Sequence, residues 1–176
     1  PSREEVPEYQ ALKTELYRLV GEIIGRFTRS GWVPIHYLYR SLDRYELLAY
    51  YRLAEIAIIT PLKDGMNLVA KEYCACNLEE NGVLILSEFA GAAAQLHRGA
   101  IMVNPYDVEG MSNAIHQAFH MDQAERHNRM HRLREIVRHR DIFWWVNNFL
   151  KAALAKDLRA FPAVEDYVLE IPLASH

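Results

Sequence analysis

The sequence predicts an α/β fold in which a parallel sheet is covered by helices on both faces. Short apolar runs of strand length alternate with longer stretches in which apolar residues recur at helical spacing. The short runs are hydrophobic throughout, which is typical of parallel strands that are buried on both faces. Strands that alternate with helices in this way form right-handed βαβ units, so the predicted architecture is Rossmann-like.

Two helices and two strands are predicted in the first part of the chain. Apolar residues recur at helical spacing over residues 5–29, which predicts a long helix. β-branched and aromatic residues dominate residues 33–39, which predicts a strand. A second helix begins at a cap on Ser41 or Asp43, and the apolar run EIAIIT at residues 55–60 predicts a buried strand.

The next part of the chain alternates in the same way. A turn at residues 61–65 (PLKDG) precedes a helical pattern at residues 66–76. The run GVLILS at residues 82–87 predicts another buried strand, and small residues follow it in a turn and helix at residues 90–96. Residues 100–103 form the last predicted strand of the sheet. Because the strands are parallel, a ligand is expected beyond their carboxyl ends.

The remainder of the chain is predicted to be mainly helical. Helical spacing extends over residues 107–155, and we expect breaks near Met121 and Asp141. Aromatic and apolar residues at positions 142–145 are expected to pack the last of these helices onto the body of the protein. Residues 156–176 form a tail to which the pattern assigns no role.

Composition is typical of a globular protein and excludes some functional classes. Of the 176 residues 51% are hydrophobic, and the net charge of −3 gives no electrostatic reason to expect nucleic acid or an anionic membrane as a partner. No apolar run approaches the ~20 residues of a membrane span and no signal-peptide pattern is present, so we expect a cytoplasmic location. Cys74 and Cys76 are expected to be reduced, because their side chains point to nearly opposite faces of a helix.

The segment from Thr60 to Glu72 carries the strongest chemical signal. A strand ends there, a glycine turn follows and a helix begins, and the N–H groups at a helix start can bind a diphosphate. Gly65 would let the backbone approach such a ligand, and the carboxylates of Asp64 and Glu72 could accept hydrogen bonds from sugar hydroxyls. The residues alone leave open a structural alternative, in which Gly65 forms a tight turn and Asp64 is a cap.

Two other features favour structural explanations. The small residues that begin at Gly91 fit tight packing of a helix on a strand better than they fit a ligand contact. The pairs His116–His120 and His127–His131 lie at helical spacing, but neither is completed by a carboxylate at a metal-binding position. No metal site is predicted.

Four segments are most informative when they are taken together. They are PIHYLYR at residues 34–40, TPLKDGMNLVAKEY at residues 60–73, LSEFAGA at residues 86–92 and VNPYD at residues 103–107. In combination they closely resemble the trehalose-6-phosphate synthase family. The resemblance covers residues 1–154 without an obvious gap, and its second segment is far more specific than a lone glycine motif.

The resemblance implies a glycosyltransferase of the GT-B architecture. Residues 1–155 would form part of its carboxyl-terminal, donor-nucleotide domain, and residues 156–176 a tail of unknown role. Family members transfer glucose from UDP-glucose to glucose-6-phosphate with retention at the anomeric carbon, and they need no metal or other cofactor for the chemistry. The partners implied for this chain are therefore a UDP-sugar donor and a sugar-phosphate acceptor.

The resemblance also assigns roles to residues by their position. The donor would contact Leu42, Gly65, Met66, Asn67, Leu68, Val69 and Glu72. Asp64, the catalytic contact, would hold hydroxyls of the transferred glucose. Of the parts of the donor, the uracil would be contacted by the backbone of Leu42 and the ribose by Glu72. Arg3 would grip the phosphate of the acceptor.

The chain begins at Pro1 without an initiator methionine, which we interpret as a piece of a longer protein. The family's RxDYxKG-type segment, whose arginine and lysine neutralise the UDP diphosphate, is expected outside this chain, as is the amino-terminal domain. Little or no catalysis is therefore expected from the chain alone. The sequence is compatible with a homo-oligomer and does not specify one.

Two alternative functions remain open at this point. Glucosylglycerol-phosphate synthase shares most of these motifs and uses glycerol-3-phosphate as acceptor, although Arg3 and Met66 favour glucose-6-phosphate. The other alternative is a non-catalytic module that binds a nucleotide sugar or regulates another domain. The presence of Asp64, Asn67 and Glu72 argues against it, because no structural need for all three is evident from the sequence.

Overall fold

The computed structural model describes residues 7–154, and the chain divides into two compact units with a boundary between Glu46 and Leu47. The first unit contains helix α1 (Pro7–Phe27) and a tight antiparallel bridge between Arg29 and Trp32. Helix α2 (Arg44–Leu53) crosses the boundary. Its predicted cap at Asp43 is confirmed, because the carboxylate accepts a hydrogen bond from the backbone N–H of Glu46 at 2.9 Å.

The prediction of a strand at residues 33–39 is wrong, because this segment pairs with no strand in the described chain. Its aromatic side chains contact α1 and one another. The ring of Tyr37 lies edge-on to Tyr17 at 5.5 Å and stacks at 6.5 Å on Tyr39, over which the Lys13 ammonium lies at 3.8 Å. β-branched and aromatic residues favour a strand because they pack well on the surface of a sheet. This segment has no neighbouring strand in the described chain, so that surface is absent.

The second unit is built on a three-stranded parallel sheet, and the three strands predicted for it are confirmed. The strands, in the order β1-β2-β3, are β1 (Ile56–Ile59), β2 (Val83–Ser87) and β3 (Ile101–Val103). Ile85 in the central strand lies opposite Ile58 of β1 and Ile101 of β3. Every residue of β2 is buried, as its uninterrupted apolar run predicts.

In the described part of the chain, five further helices follow β1 in sequence. They are α3 (Leu68–Cys76), α4 (Ala93–Leu96), α5 (Val108–His120), α6 (Gln123–His139) and α7 (Ile142–Leu154). The predicted breaks near Met121 and Asp141 are confirmed. Asp107 caps α5 through the N–H of Gly110, and Asp122 caps α6 through the N–H of Glu125, both at 2.9 Å.

The two faces of the sheet are covered by different helices, which confirms the predicted fold class. On one face Leu84 and Leu86 of β2 belong to a core cluster that includes residues of α3, α4 and α6. On the other face Val83 and Ile85 belong to a cluster with residues of α5. The alternation along β2 follows the two-residue period of a strand.

The cysteines are free, as predicted. Cys74 is fully buried in the core, and burial raises the pKa of its thiol to about 12. The thiol is therefore protonated at neutral pH, and it acts as a small apolar group in the core. Beside it, the buried Tyr73 donates its hydroxyl hydrogen to the carbonyl of Ala54 at 3.0 Å, which ties α3 to the start of β1.

Two arginines of α6 satisfy the carbonyl groups at the ends of other helices. Arg134 donates to the carbonyls of Cys74 at 3.1 Å and Ala75 at 2.8 Å, at the end of α3, and to the carboxylate of Glu80 at 3.2 Å. Arg126 donates in the same way to the carbonyl of Ala118 at 2.9 Å, near the end of α5. Because the last carbonyls of a helix have no partner within it, these contacts attach α6 to both helices.

The structure does not show the predicted packing of residues 142–145 onto the body. Ile142 is 64% exposed and Phe143 is 79% exposed, whereas Trp145 stacks on Phe149 of the same helix at 5.3 Å. Apolar periodicity identifies the face of a helix that can be covered, but it does not identify the element that covers it. The described helices include none that combines the length and the apolar composition of a membrane span.

We predict that Arg134→Met lowers the free energy of unfolding of the sheet-containing unit by about 2 kcal/mol, because carbonyls at the end of α3 lose a charged donor. Arg138→Met on the same helix is the matched control. Its side chain is 67% exposed and, among the described residues, pairs only with Glu135 one turn earlier in the helix. The expected loss is therefore below about 0.5 kcal/mol. Urea unfolding followed by circular dichroism measures both variants, and equal losses would contradict the capping role.

Candidate functional site

The loops that follow β1 and β2 meet at the carboxyl edge of the sheet. The N–H of Gly91 donates to the carbonyl of Asp64 at 2.8 Å, and Asp64 forms an isolated parallel bridge with Ala90. The two segments that sequence analysis singled out separately are therefore in direct contact. This edge is where a parallel sheet of this class binds its ligands.

Gly91 has no side chain because the neighbouring loop occupies the space that a side chain would need. A Cβ atom at position 91 would lie 2.5 Å from the carbonyl carbon of Gly65 and 3.0 Å from the backbone nitrogen of Met66. Both atoms belong to backbone, which cannot rotate away as a side chain can. The following residues, Ala92 and Ala93, are buried in the core, where the expected packing on the sheet is confirmed.

The carboxylate of Asp64 folds back onto its own loop. Its Oδ1 accepts hydrogen bonds from the N–H groups of Met66 at 3.0 Å and Asn67 at 2.8 Å, and its Oδ2 accepts one from the Asn67 side-chain amide at 3.1 Å. The hydrogen bond from Met66, with those from Asn67, lowers the pKa of Asp64. The group is therefore an ionised acceptor at neutral pH, and one of its roughly four acceptor positions is not used by the loop.

Asn67 is the residue on which the start of α3 depends. Its backbone is left-handed, with φ of 61°, and its side-chain Oδ1 caps the helix by accepting from the N–H of Ala70 at 3.0 Å. Sequence analysis interpreted Gly65 as a point of close approach to a ligand, or alternatively as part of a tight turn. Gly65 does not have a positive φ, and a Cβ atom there would meet nothing within 4 Å.

Two backbone amides at the start of α3 are available to a ligand. The N–H groups of Leu68 and Val69 donate to no acceptor in the described part of the chain, whereas that of Ala70 is capped by Asn67. Leu68 and Val69 are also about half exposed, at 56% and 47%. Unpaired amides at the positive end of a helix dipole form a place for a negatively charged oxygen.

Glu72 lies one turn further along α3 and is exposed. Its carboxylate Oε2 accepts a hydrogen bond at 3.0 Å from the hydroxyl of Tyr51, which belongs to α2. Sequence reasoning missed this tyrosine, because 21 residues separate it from Glu72 and no local pattern connects the two. Desolvation raises the pKa of Tyr51 to about 12, with a contribution from Glu72, so the hydroxyl remains a donor.

The other predicted site residues lie elsewhere. Leu42 is a half-buried residue of the first unit, in the loop just before α2. Arg3 lies outside the described residues. The rings of His116 and His120 lie 4.1 Å apart, but the described chain contains no group of three or more histidine, cysteine, aspartate or glutamate residues that could hold a metal ion.

Comparison with known proteins identifies a family. Residues 1–155 match the family model Glycosyltransferase family 20. Trehalose-6-phosphate synthase from Mycobacterium avium is 45% identical over 152 residues, which are 86% of this chain and 31% of that protein. The chain thus spans about a third of the length of this relative.

Solved structures agree with the sequence match. The α,α-trehalose-phosphate synthase (UDP-forming) from Burkholderia xenovorans, in complex with glucose-6-phosphate, matches with a TM-score of 0.82 and 40% identity, and the match covers 88% of this chain and 34% of that one. An E. coli structure bound with UDP-2-fluoro glucose matches with a TM-score of 0.80 and 40% identity, over 85% of this chain and 33% of that one.

We predict that Gly91→Ala lowers the free energy of unfolding by about 2 kcal/mol, because the added methyl group forces the Asp64 loop away from the sheet edge. Gly65→Ala is the matched control in the facing loop, and its effect should stay within about 0.5 kcal/mol because the position is open. Urea unfolding of the two variants makes the comparison. Equal tolerance of both substitutions would mean that the loop yields readily and is not held by the contact.

Proposed function

Because the chain belongs to glycosyltransferase family 20, we propose that it is the donor-binding half of an enzyme that transfers glucose from UDP-glucose to glucose-6-phosphate with retention, forming trehalose-6-phosphate. Residues 1–155 correspond in this proposal to part of the carboxyl-terminal domain of the GT-B architecture. The similar proteins support this choice of donor and acceptor. Two of them are named as UDP-forming trehalose-phosphate synthases, and one of these two is in complex with glucose-6-phosphate. A third, the E. coli structure, is bound with UDP-2-fluoro glucose.

The observation that carries the proposal is the pair of open amides at the start of α3. The N–H groups of Leu68 and Val69 can donate to the oxygens of a diphosphate, where the helix dipole adds a positive potential. Gly65 belongs to the loop that leads into this helix, with free space where a side chain would stand. A leaving diphosphate gains negative charge as the glycosidic bond breaks, so a fixed positive site for it stabilises the transition state.

The two carboxylates are assigned to the two sugars of the donor. Asp64 holds hydroxyls of the transferred glucose, through the acceptor position that its loop leaves unused. The backbone at Met66 and Asn67 contacts that glucose or the diphosphate, and Glu72 binds the ribose. Because Asp64 is fixed by three hydrogen bonds before any ligand arrives, it needs no reorganisation when the glucose binds.

In the proposed reaction the acceptor hydroxyl attacks on the face from which UDP departs. The departing phosphate helps to take the proton of that hydroxyl, so the chemistry requires neither a protein nucleophile nor a metal ion. The protein positions the donor and stabilises the charge on the leaving group. Leu42 meets uracil and Arg3 the acceptor phosphate in this proposal, which for both residues rests on the family resemblance.

We predict that the chain binds UDP in a calorimetric titration and binds UMP at least ten-fold more weakly, because UMP lacks the second phosphate for the amides at the start of α3. Glu72→Ala should weaken UDP binding about ten-fold, which is the loss expected for a hydrogen bond to a charged group. Gly65→Ala should also weaken it, because the new methyl group enters the space beside the diphosphate. Exposed Glu109, at the start of α5, supplies the control variant Glu109→Ala, which should leave UDP binding unchanged.

Two results of these titrations would contradict the proposal. A chain that circular dichroism shows to be folded and that binds neither UDP nor UDP-glucose would contradict the proposal that this half holds the donor. Equal affinity for UMP and UDP would contradict the assignment of the diphosphate to Leu68 and Val69.

A further inference from the structure

Tyr51 makes the only hydrogen bond that the Glu72 carboxylate accepts within the described part of the chain. The donor hydroxyl lies 3.0 Å from Oε2 of Glu72. The contact joins two helices, because Tyr51 belongs to α2 and Glu72 to α3. It therefore sets where the carboxylate of α3 stands relative to the neighbouring helix.

The two partners differ in how firmly they are held. Tyr51 is half-buried and its ring packs against the main core cluster, so the position of its hydroxyl is fixed by the core. Glu72 is exposed, and a free glutamate side chain samples many rotamers, which must be given up when a ligand binds. A hydrogen bond from a fixed hydroxyl selects among those rotamers before a ligand arrives.

The hydrogen bond also determines which acceptor atoms remain. Oε2 is occupied by the tyrosine, whereas Oε1 accepts no hydrogen bond from the described residues. An ionised carboxylate offers about two acceptor positions on each oxygen, so Oε1 can accept from two hydroxyls that lie side by side. The adjacent 2′ and 3′ hydroxyls of a ribose form such a pair.

We propose that Tyr51 is a positioning residue, which orients Glu72 for the two adjacent ribose hydroxyls and thereby makes the donor site prefer a ribonucleotide over a 2′-deoxyribonucleotide. The inference rests on the proposed function, because it takes Glu72 as the ribose-binding group. Tyr51 itself contacts no substrate in this account. Its effect reaches the ligand through the orientation of the carboxylate.

The test compares UDP with 2′-deoxy-UDP by calorimetry on the wild-type chain, Tyr51→Phe, Glu72→Ala and the double variant. Tyr51→Phe keeps the ring in the core and removes only the hydroxyl. We expect it to weaken UDP binding about five-fold, as for loss of one hydrogen bond, and to change 2′-deoxy-UDP binding less than two-fold. In the Glu72→Ala background the same substitution should have no further effect on UDP, because no carboxylate remains to be oriented.

Tyr50→Phe is the matched control, since Tyr50 is the neighbouring residue on α2, is 46% exposed and makes no hydrogen bond to Glu72. It should leave the affinities for both nucleotides unchanged. Urea unfolding of Tyr51→Phe checks that the fold is retained.

Three results would overturn the inference. They are an unchanged UDP affinity in Tyr51→Phe, equal losses for UDP and 2′-deoxy-UDP, and a loss that persists in the Glu72→Ala background. Each arises with a wild-type chain that binds UDP, so the proposed function survives it. A wild-type chain that fails to bind UDP overturns the proposed function and this inference together.

Discussion

The contact between Gly91 and the loop that follows β1 is the constraint on which the rest of the site depends. The N–H of Gly91 holds the carbonyl of Asp64, and the absence of a side chain lets the backbone of Gly65 lie against it. With the loop held in this position against Gly91, the Asp64 carboxylate reaches the amides of Met66 and Asn67. The sheet edge thus determines the geometry of the turn that begins α3.

The same groups serve the fold and the proposed chemistry. Asp64 caps its own turn and still keeps an acceptor position, so the structural and the ligand-binding interpretations of this residue are compatible. Asn67 also serves both purposes at the start of α3, since it caps the N–H of Ala70 and leaves those of Leu68 and Val69 open. A turn that satisfied every amide would be more stable and could hold no diphosphate.

Hydrophobic patterning predicted the parts of the fold whose partners are close in sequence or fully buried. The runs that became β1, β2 and β3 are apolar enough to specify buried strands, and aspartates mark the starts of α2, α5 and α6. Residues 33–39 were predicted wrongly because a strand needs a partner that local composition cannot supply. The roles of Gly91 and Tyr51 depend on contacts between distant segments, and no spacing rule predicts such contacts.

The most direct test of the central claim, that the two open amides at the start of α3 receive the donor diphosphate, is a nuclear magnetic resonance titration of the ¹⁵N-labelled chain. Addition of UDP should shift the amide resonances of Leu68 and Val69 strongly, whereas uridine, which lacks phosphate, should leave both nearly unchanged. A folded chain in which UDP shifts other amides but not these two, or in which uridine shifts them equally, would contradict the account.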